Sequence, residues 1–354
     1  MRRVALVLLA ALLLAAGCKS GKAPSARYTA FDNIIDHAKP LAMGDENNIH
    51  VFCGQQNWAG LESLIRGSIE REVSLVYQEK YFNLIFSDIK EVDKLFSYRN
   101  LLFIGSLEGT DPVSNHIKGS LTGDLVNRVK QSGGDLMISK NRFTRDQIIL
   151  HLVAIDNPRL KTLAEAQSNN IFTQFLDRYT SRLAYQTYQM KVIPPSFFEP
   201  YPFSMQIPEN YQLYSNDKAN RFLSFLSRSR METREVPDKF VSVYYEDMPE
   251  NKVDEEWMIK TRSHIANIHF DGDSLNAQTM RTEIFKFASY DGLRLTGTWI
   301  NPKRHVGGPY QSFAFWDAKS KRAYLTDIMV FYPAGEKLPV LMELFMIAST
   351  LKLK

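Results

Sequence analysis

Four prolines close together, Pro194, Pro195, Pro200 and Pro202, divide this chain, because residues with a fixed φ and no N–H can build neither a helix interior nor a central strand. The order of elements changes across them. Upstream, short apolar runs at 49–53, 81–89, 100–107, 135–139 and 147–155 read as strands. Helical patterns at 58–73, 91–96, 113–130 and 159–190 alternate with them. In the last of these, Phe172, Phe175, Leu176, Tyr179 and Leu183 recur at the spacing of a core-facing stripe. Downstream, strand patterns at 203–207, 211–215, 222–229 and 239–246 run together before a helix at 253–267. Four more follow at 281–288, 293–300, 311–317 and 323–331, ahead of a final helix at 338–351. Strands grouped in this way predict α+β architecture: two related sheet-and-helix halves with largely antiparallel sheets. The expected divisions are an N-terminal α/β half at 48–192, a Pro-rich linker at 193–202 and a C-terminal α+β half at 203–354.

The amino terminus predicts an address. Arg2 and Arg3 precede an unbroken apolar run from Val4 to Ala16, the length of a secretory h-region and short of the roughly 20 residues that span a bilayer. Ala15, Ala16 and Gly17 then lead into Cys18, which resembles the lipobox of bacterial lipoproteins. The resemblance implies a signal peptide at 1–17, diacylglycerol on the Cys18 thiol with palmitate-like chains, and a lipidated tether at 18–47. Acyl chains contribute about 0.8 kcal/mol per buried methylene, so several together hold a protein on a membrane. Lys19, where retained lipoproteins carry Asp, implies the outer membrane, on its periplasmic or its surface face.

Cysteine usage agrees with that address. Cys53 is the only other cysteine, so an acylated Cys18 leaves no disulfide and stability must come from packing. Cys53 alternates with Ile49 and Val51 on one strand face, the pattern of a small buried residue. The formal charge of +4, or +2 without Arg2 and Arg3, gives no reason to expect nucleic acid.

The usual catalytic signatures are missing from the sequence. It has no P-loop, dinucleotide fingerprint or Gly-x-Ser-x-Gly elbow. Ser87 to Lys90 and Ser215 to Lys218 each spell Ser-x-x-Lys, without the companion motifs of penicillin-binding enzymes. His264 and His269 have the wrong spacing for a helical zinc pair, and Asp271-Gly272-Asp273 reads as a solvated turn rather than a calcium loop. No catalytic residue, metal ligand or cofactor is expected.

Near strand ends a set of special residues stands out: Gly297-x-Trp299, then Gly307-Gly308-Pro309-Tyr310, then Tyr332-Pro333 with Lys337 and Glu343. Upstream lie Trp58 with Gly60, Arg99-Asn100, and Gln147. In these motifs and their order the chain resembles a family of uncharacterised bacterial lipoproteins, domain of unknown function 4837. That family implies no activity, so the residues must be read physically. Gly-Gly-Pro predicts a turn between strands, and Arg99 and Asn100 predict a hydrogen-bonded brace at a strand end. Candidate structural or binding residues are therefore Arg99, Asn100, Gln147, Trp299, Gly307, Gly308, Pro309 and Tyr310. The expected role is a non-catalytic binding or assembly component of the cell envelope, held on the membrane through Cys18 and meeting an envelope protein or glycan. The alternative is an envelope-polymer hydrolase whose site converges only in three dimensions.

Overall fold

The computed structural model describes residues 25–229 and 235–354, so the expected signal peptide and Cys18 lie outside the described residues. The first half runs β1 (Asn48–Cys53), α1 (Gln55–Ile69), β2 (Glu72–Ser74), β3 (Gln78–Lys80), β4 (Asn83–Phe86), α2 (Val92–Leu95) and β5 (Asn100–Ser106). It continues with α3 (Pro112–Ser120), α4 (Gly123–Ser132), β6 (Gly134–Lys140), β7 (Ile148–Ala154) and the long α5 (Asn157–Thr187). The sheet order is β4-β1-β5-β7-β6, parallel except for β6. Helical crossovers between β1, β4, β5 and the β6–β7 hairpin impose this pairing, and β5 and β7 are buried along their whole length as central strands of such a sheet must be. The stripe on α5 packs on one face, where Phe172, Phe175 and Tyr179 join Ile49, Val51 and Cys53 of β1. The helix expected at 113–130 is two helices, because Leu121 and Thr122 turn extended between them.

The second half runs β8 (Phe203–Ser204), β9 (Gln212–Asp217), β10 (Phe222–Ser227), β11 (Asp238–Asp247), α6 (Glu255–His269), β12 (Ser274–Leu275) and β13 (Arg281–Phe287). Then come β14 (Tyr290–Asn301), β15 (Val306–Asp317), β16 (Arg322–Phe331), α7 (Leu338–Ala348) and β17 (Lys352–Leu353). Its large sheet is antiparallel throughout, in the order β12-β14-β15-β16-β11-β10-β9, with β13 beside β12 on β14. The α+β expectation holds, with pairing largely antiparallel over the chain and the first sheet as the parallel exception. The two halves share the plan of one sheet covered by helices, on different strand orders.

Helix α7 joins the halves. It is apolar nearly all round: Leu338 and Met342 enter the core of the first sheet, while Leu341, Leu344 and Ile347 enter that of the second. Its N-terminus is capped from the first half, since both Glu79 carboxylate oxygens accept from Lys337 N (3.0 and 2.9 Å) and one also accepts from Leu338 N (2.7 Å). A carboxylate at this end satisfies orphan N–H groups and faces the positive end of the helix dipole. The other face of the second sheet is covered by α6, whose Met258 and Ile265 pack with Trp299, Tyr310 and Met329.

Burial of His151 predicts that the first half loses stability in acid. His151 lies opposite Phe103 on β7, their rings stacked at 5.0 Å, and Phe103 stacks in turn on Phe52. Burial first, then the charges of Arg142 and His116, push the imidazole down from 6.5 to about 4. A histidine with a depressed folded-state value favours the unfolded chain on protonation. Its contribution is therefore complete above pH 6.5 and is lost as the pH falls to about 4. The drop amounts to about 3 kcal/mol, from 1.36 kcal/mol per unit. Urea unfolding across this range should show the loss, and His151→Phe should remove most of it; an unchanged pH slope in the variant would assign the acid sensitivity elsewhere.

Candidate functional site

The expected site residues fall into two separate clusters. In the first half, Asn100 begins β5 and donates through Nδ2 to the carbonyls of Glu46 and Asn48, both at 2.9 Å, while its Oδ1 accepts from Arg182 Nη2 at 2.8 Å. Gln147, just before β7, donates to the carbonyls of Phe96 (2.6 Å) and Tyr98 (2.8 Å) and accepts from Phe143 N. Arg99 donates to the Gly44 carbonyl and faces Glu46 and Asp146 at 3.4 and 3.5 Å. Two guanidiniums from α5, Arg178 and Arg182, both reach the Asp146 carbonyl at 3.0 Å. This network ties the N-terminal ends of the parallel strands to α5 and to the segment before β1. Ligands of doubly wound sheets bind at the opposite, C-terminal ends. There the Asp111 carboxylate occupies the space beside Gly54, capping α3 at Val113 N and Ser114 N and accepting from Ser114 Oγ at 2.6 Å.

In the second half the Gly-Gly-Pro segment is not a turn. It lies inside β15, and the reversal is made at 302–305, with His305 in left-handed geometry. Register explains the motif. Gly297 faces Tyr310, and Trp299 faces Gly308, so each aromatic ring lies across from a glycine on the neighbouring strand. Pro309 has no N–H to donate, and accordingly the β15–β16 pairing starts one residue later, at Tyr310.

Over Tyr310 lies a charge pair that no sequence motif marked. Arg262 of α6 and Asp327 of β16 are both buried, with Nε to Oδ1 at 3.0 Å. The Ser312 hydroxyl donates to the same oxygen at 2.5 Å, and the guanidinium carbon stands 5.0 Å from the Tyr310 ring centre. Burial pushes the Asp327 carboxyl up, and Arg262 and Ser312 pull it back part of the way. Arg262 Nη1, Asp327 Oδ2 and the Tyr310 hydroxyl are buried with no hydrogen-bond partner among the described residues. Nearby, Asp273 is not a solvated turn residue: it is buried and accepts from Asn301 Nδ2 at 2.7 Å.

A groove of about 580 Å³ lies between the segment entering α6 and strands β13, β14 and β15. Ile284, Leu293 and Trp316 supply its apolar lining, and Glu250, Asp254, Glu255, Glu283 and Asp291 its acids, with no Lys or Arg among the lining residues. Ile284 is 89% exposed on β13, a strand paired only with β14 among the described residues.

Both Ser-x-x-Lys serines meet histidines. Ser87 Oγ lies 2.9 Å from His50 Nδ1, buried. Ser215 Oγ lies 3.2 Å from His269 Nδ1, whose Nε2 is 3.9 Å from Asp217. Sequence spacing could not pair residues 54 positions apart. Cys53 is buried, and burial followed by the Asp111 charge pushes its thiol up to about 12, which keeps it protonated and unreactive.

Among the described residues no helix is long and apolar enough to cross a membrane. No curated protein matches the chain. Among solved structures, a protein of Bacteroides thetaiotaomicron VPI-5482 is similar at 10% identity and a TM-score of 0.27, covering 43% of this chain and 45% of that one, so the chain spans less than half of its length. The Saccharomyces cerevisiae Ran-binding protein Mog1p is similar at 9% identity over 44% of this chain and 92% of its own, with a TM-score of 0.31. LpqN, involved in cell envelope biogenesis of Mycobacterium tuberculosis, is similar at 8% identity over 43% and 83%, with a TM-score of 0.28. A family model matches residues 193–350, which include Trp299, Gly307 to Tyr310 and Lys337, whereas Trp58, Gly60, Arg99, Asn100 and Gln147 lie outside the matched span. The matching model is that of the family described as Domain of unknown function (DUF4837), and residues 193–350 are what the chain shares with it.

Proposed function

We propose that this chain is a cell-envelope protein anchored at the outer membrane through diacylglycerol on Cys18, and that it binds a partner protein without catalysing a reaction. The observation that carries the binding role is the groove beside β13. An edge strand presents unpaired backbone groups that a partner segment can extend, and pockets beside it select side chains. Exposed Ile284 supplies apolar contact, and the surrounding acids favour a segment bearing Lys or Arg. The occupant is thus an extended basic segment of an envelope protein.

The test is photo-cross-linking in cells from position 284 of the full-length chain, with adducts mapped by mass spectrometry and Cys18→Ala as the unanchored control. A partner peptide rich in Lys or Arg should be recovered, and the pair Glu250→Lys with Asp291→Lys should reduce it at least tenfold. Adducts that ignore the charge reversal would overturn the groove assignment. Acyl chains absent from the N-terminal peptide would overturn the anchor.

The contact of Ser215 with His269 favours a second reading, an envelope-polymer hydrolase. Burial pushes the His269 imidazole down, which keeps it neutral as a general base must be. Against this, Asp217 at 3.9 Å is beyond hydrogen-bonding distance, so the ring lacks the bond that orients a catalytic base. A fluorophosphonate probe should therefore leave Ser215 unlabelled; labelling lost in both Ser215→Ala and His269→Gln would establish the hydrolase.

A further inference from the structure

A second depression lies between the halves. It measures about 580 Å³ and is walled on one side by the β2–β3 hairpin and on the other by the segment entering α7. Three features set its chemistry. Tyr77 lines it with 62% of its surface exposed, a ring presented to solvent at the mouth. Asn47, Gln78 and Asn83 line it with amides, which both donate and accept.

The third feature is Lys337. The side chain lines the cleft yet is only 4% exposed, and its ammonium lies 4.5 Å from the centre of the Tyr77 ring. Two acids line the cleft with it, Glu79, which takes the backbone N–H groups of Lys337 and Leu338, and Glu336, which is exposed to solvent; Lys80, also in the lining, is held by Glu70 at 3.3 Å. Among the described residues the Lys337 ammonium forms no ion pair, so the face of Tyr77 is its principal partner. A buried cation held in this way is a strong attractor for an anion that can enter the cleft.

We propose that this cleft binds a carboxylated saccharide. The face of the Tyr77 ring that Lys337 does not cover would take the C–H face of a sugar, the amides its hydroxyls, and Lys337 its carboxylate. A bare anion would use Lys337 and leave the ring and amides idle, and a neutral sugar would leave the ammonium unanswered. The site is distinct from the β13 groove and does not depend on it.

The test is titration of the detergent-solubilised full chain with oligogalacturonate, with a neutral oligosaccharide of equal length and inorganic phosphate as comparison probes. Oligogalacturonate should bind at least tenfold more tightly than the neutral sugar. Both Lys337→Gln and Tyr77→Ala should weaken it at least tenfold, while Ile284→Asp should leave it unchanged. Tyr77 is exposed, so Tyr77→Ala retains the fold and keeps the test decisive even if Lys337→Gln melts early. Affinity that survives both substitutions, equal binding of the neutral sugar, competition by millimolar phosphate, or no binding at all would each overturn the proposal.

Discussion

Arg262→Ala is expected to destabilise the chain by about 3–5 kcal/mol, the range for breaking a buried pair from one side. Arg262 and Asp327 are 0% and 1% exposed, so removing the guanidinium strands a carboxylate that water cannot reach. The Ser312 hydroxyl would be its one remaining hydrogen-bond donor, because Asp327 Oδ2 is already without a partner among the described residues. The pair itself is a different quantity. Replacing both members with apolar residues of similar volume, Arg262→Met with Asp327→Leu, should recover most of the loss, since each charge was taken out of water to form the bond. Urea unfolding of the two single variants and the double variant measures the coupling. If Arg262→Ala costs less than about 1 kcal/mol, solvent reaches the carboxylate and the cluster is not the closed core described above.

Much of this architecture was legible because burial leaves periodic traces. The stripe from Phe172 to Leu183 gave α5, and alternation gave most strands of the second half to within a few residues. What the sequence could not show was register. Gly307-Gly308-Pro309 carries turn residues, and only the strand pairing shows that Gly307 makes room for β14 and Gly308 for β16, and that Trp299 and Tyr310 lie across from glycines. Arg262 lies in a polar-looking stretch of α6, 65 positions from its partner. The available signal was Asp327, a lone acid inside the otherwise apolar run from Ala323 to Phe331 that had to find a cation or stay protonated. The groove and the cleft left no trace at all, since each is lined by segments distant in sequence. The short β2–β3 hairpin, whose Glu79 caps α7, was missed for a related reason: three-residue strands are too brief for alternation to register.

Gly308→Ala tests the register argument more sharply than any change of charge, and should cost about 4 kcal/mol or more, beyond the usual range for an overfilled core. A Cβ built at this position falls 1.9 Å from the Val330 carbonyl oxygen, a backbone atom of β16 that cannot swing aside as a side chain would. Trp299 Nε1 closes a second side at 3.3 Å. Relief requires β15 and β16 to part where Pro309 already withholds an N–H, and the cleft between them would open beside the Arg262–Asp327 pair. The consequence is therefore local as well as global: hydrogen exchange should rise first at Tyr310 and Met329, the first pair of the β15–β16 ladder. Gly60→Ala is the contrasting case, because nothing lies within 4 Å of a Cβ there and the residue is inside α1. That change should stabilise by about 0.5–1 kcal/mol through helix propensity. Opposite signs at two glycines would confirm that Gly308 is held by the closeness of β16. A neutral Gly308→Ala would mean that β15 and β16 are further apart at this point than the register requires.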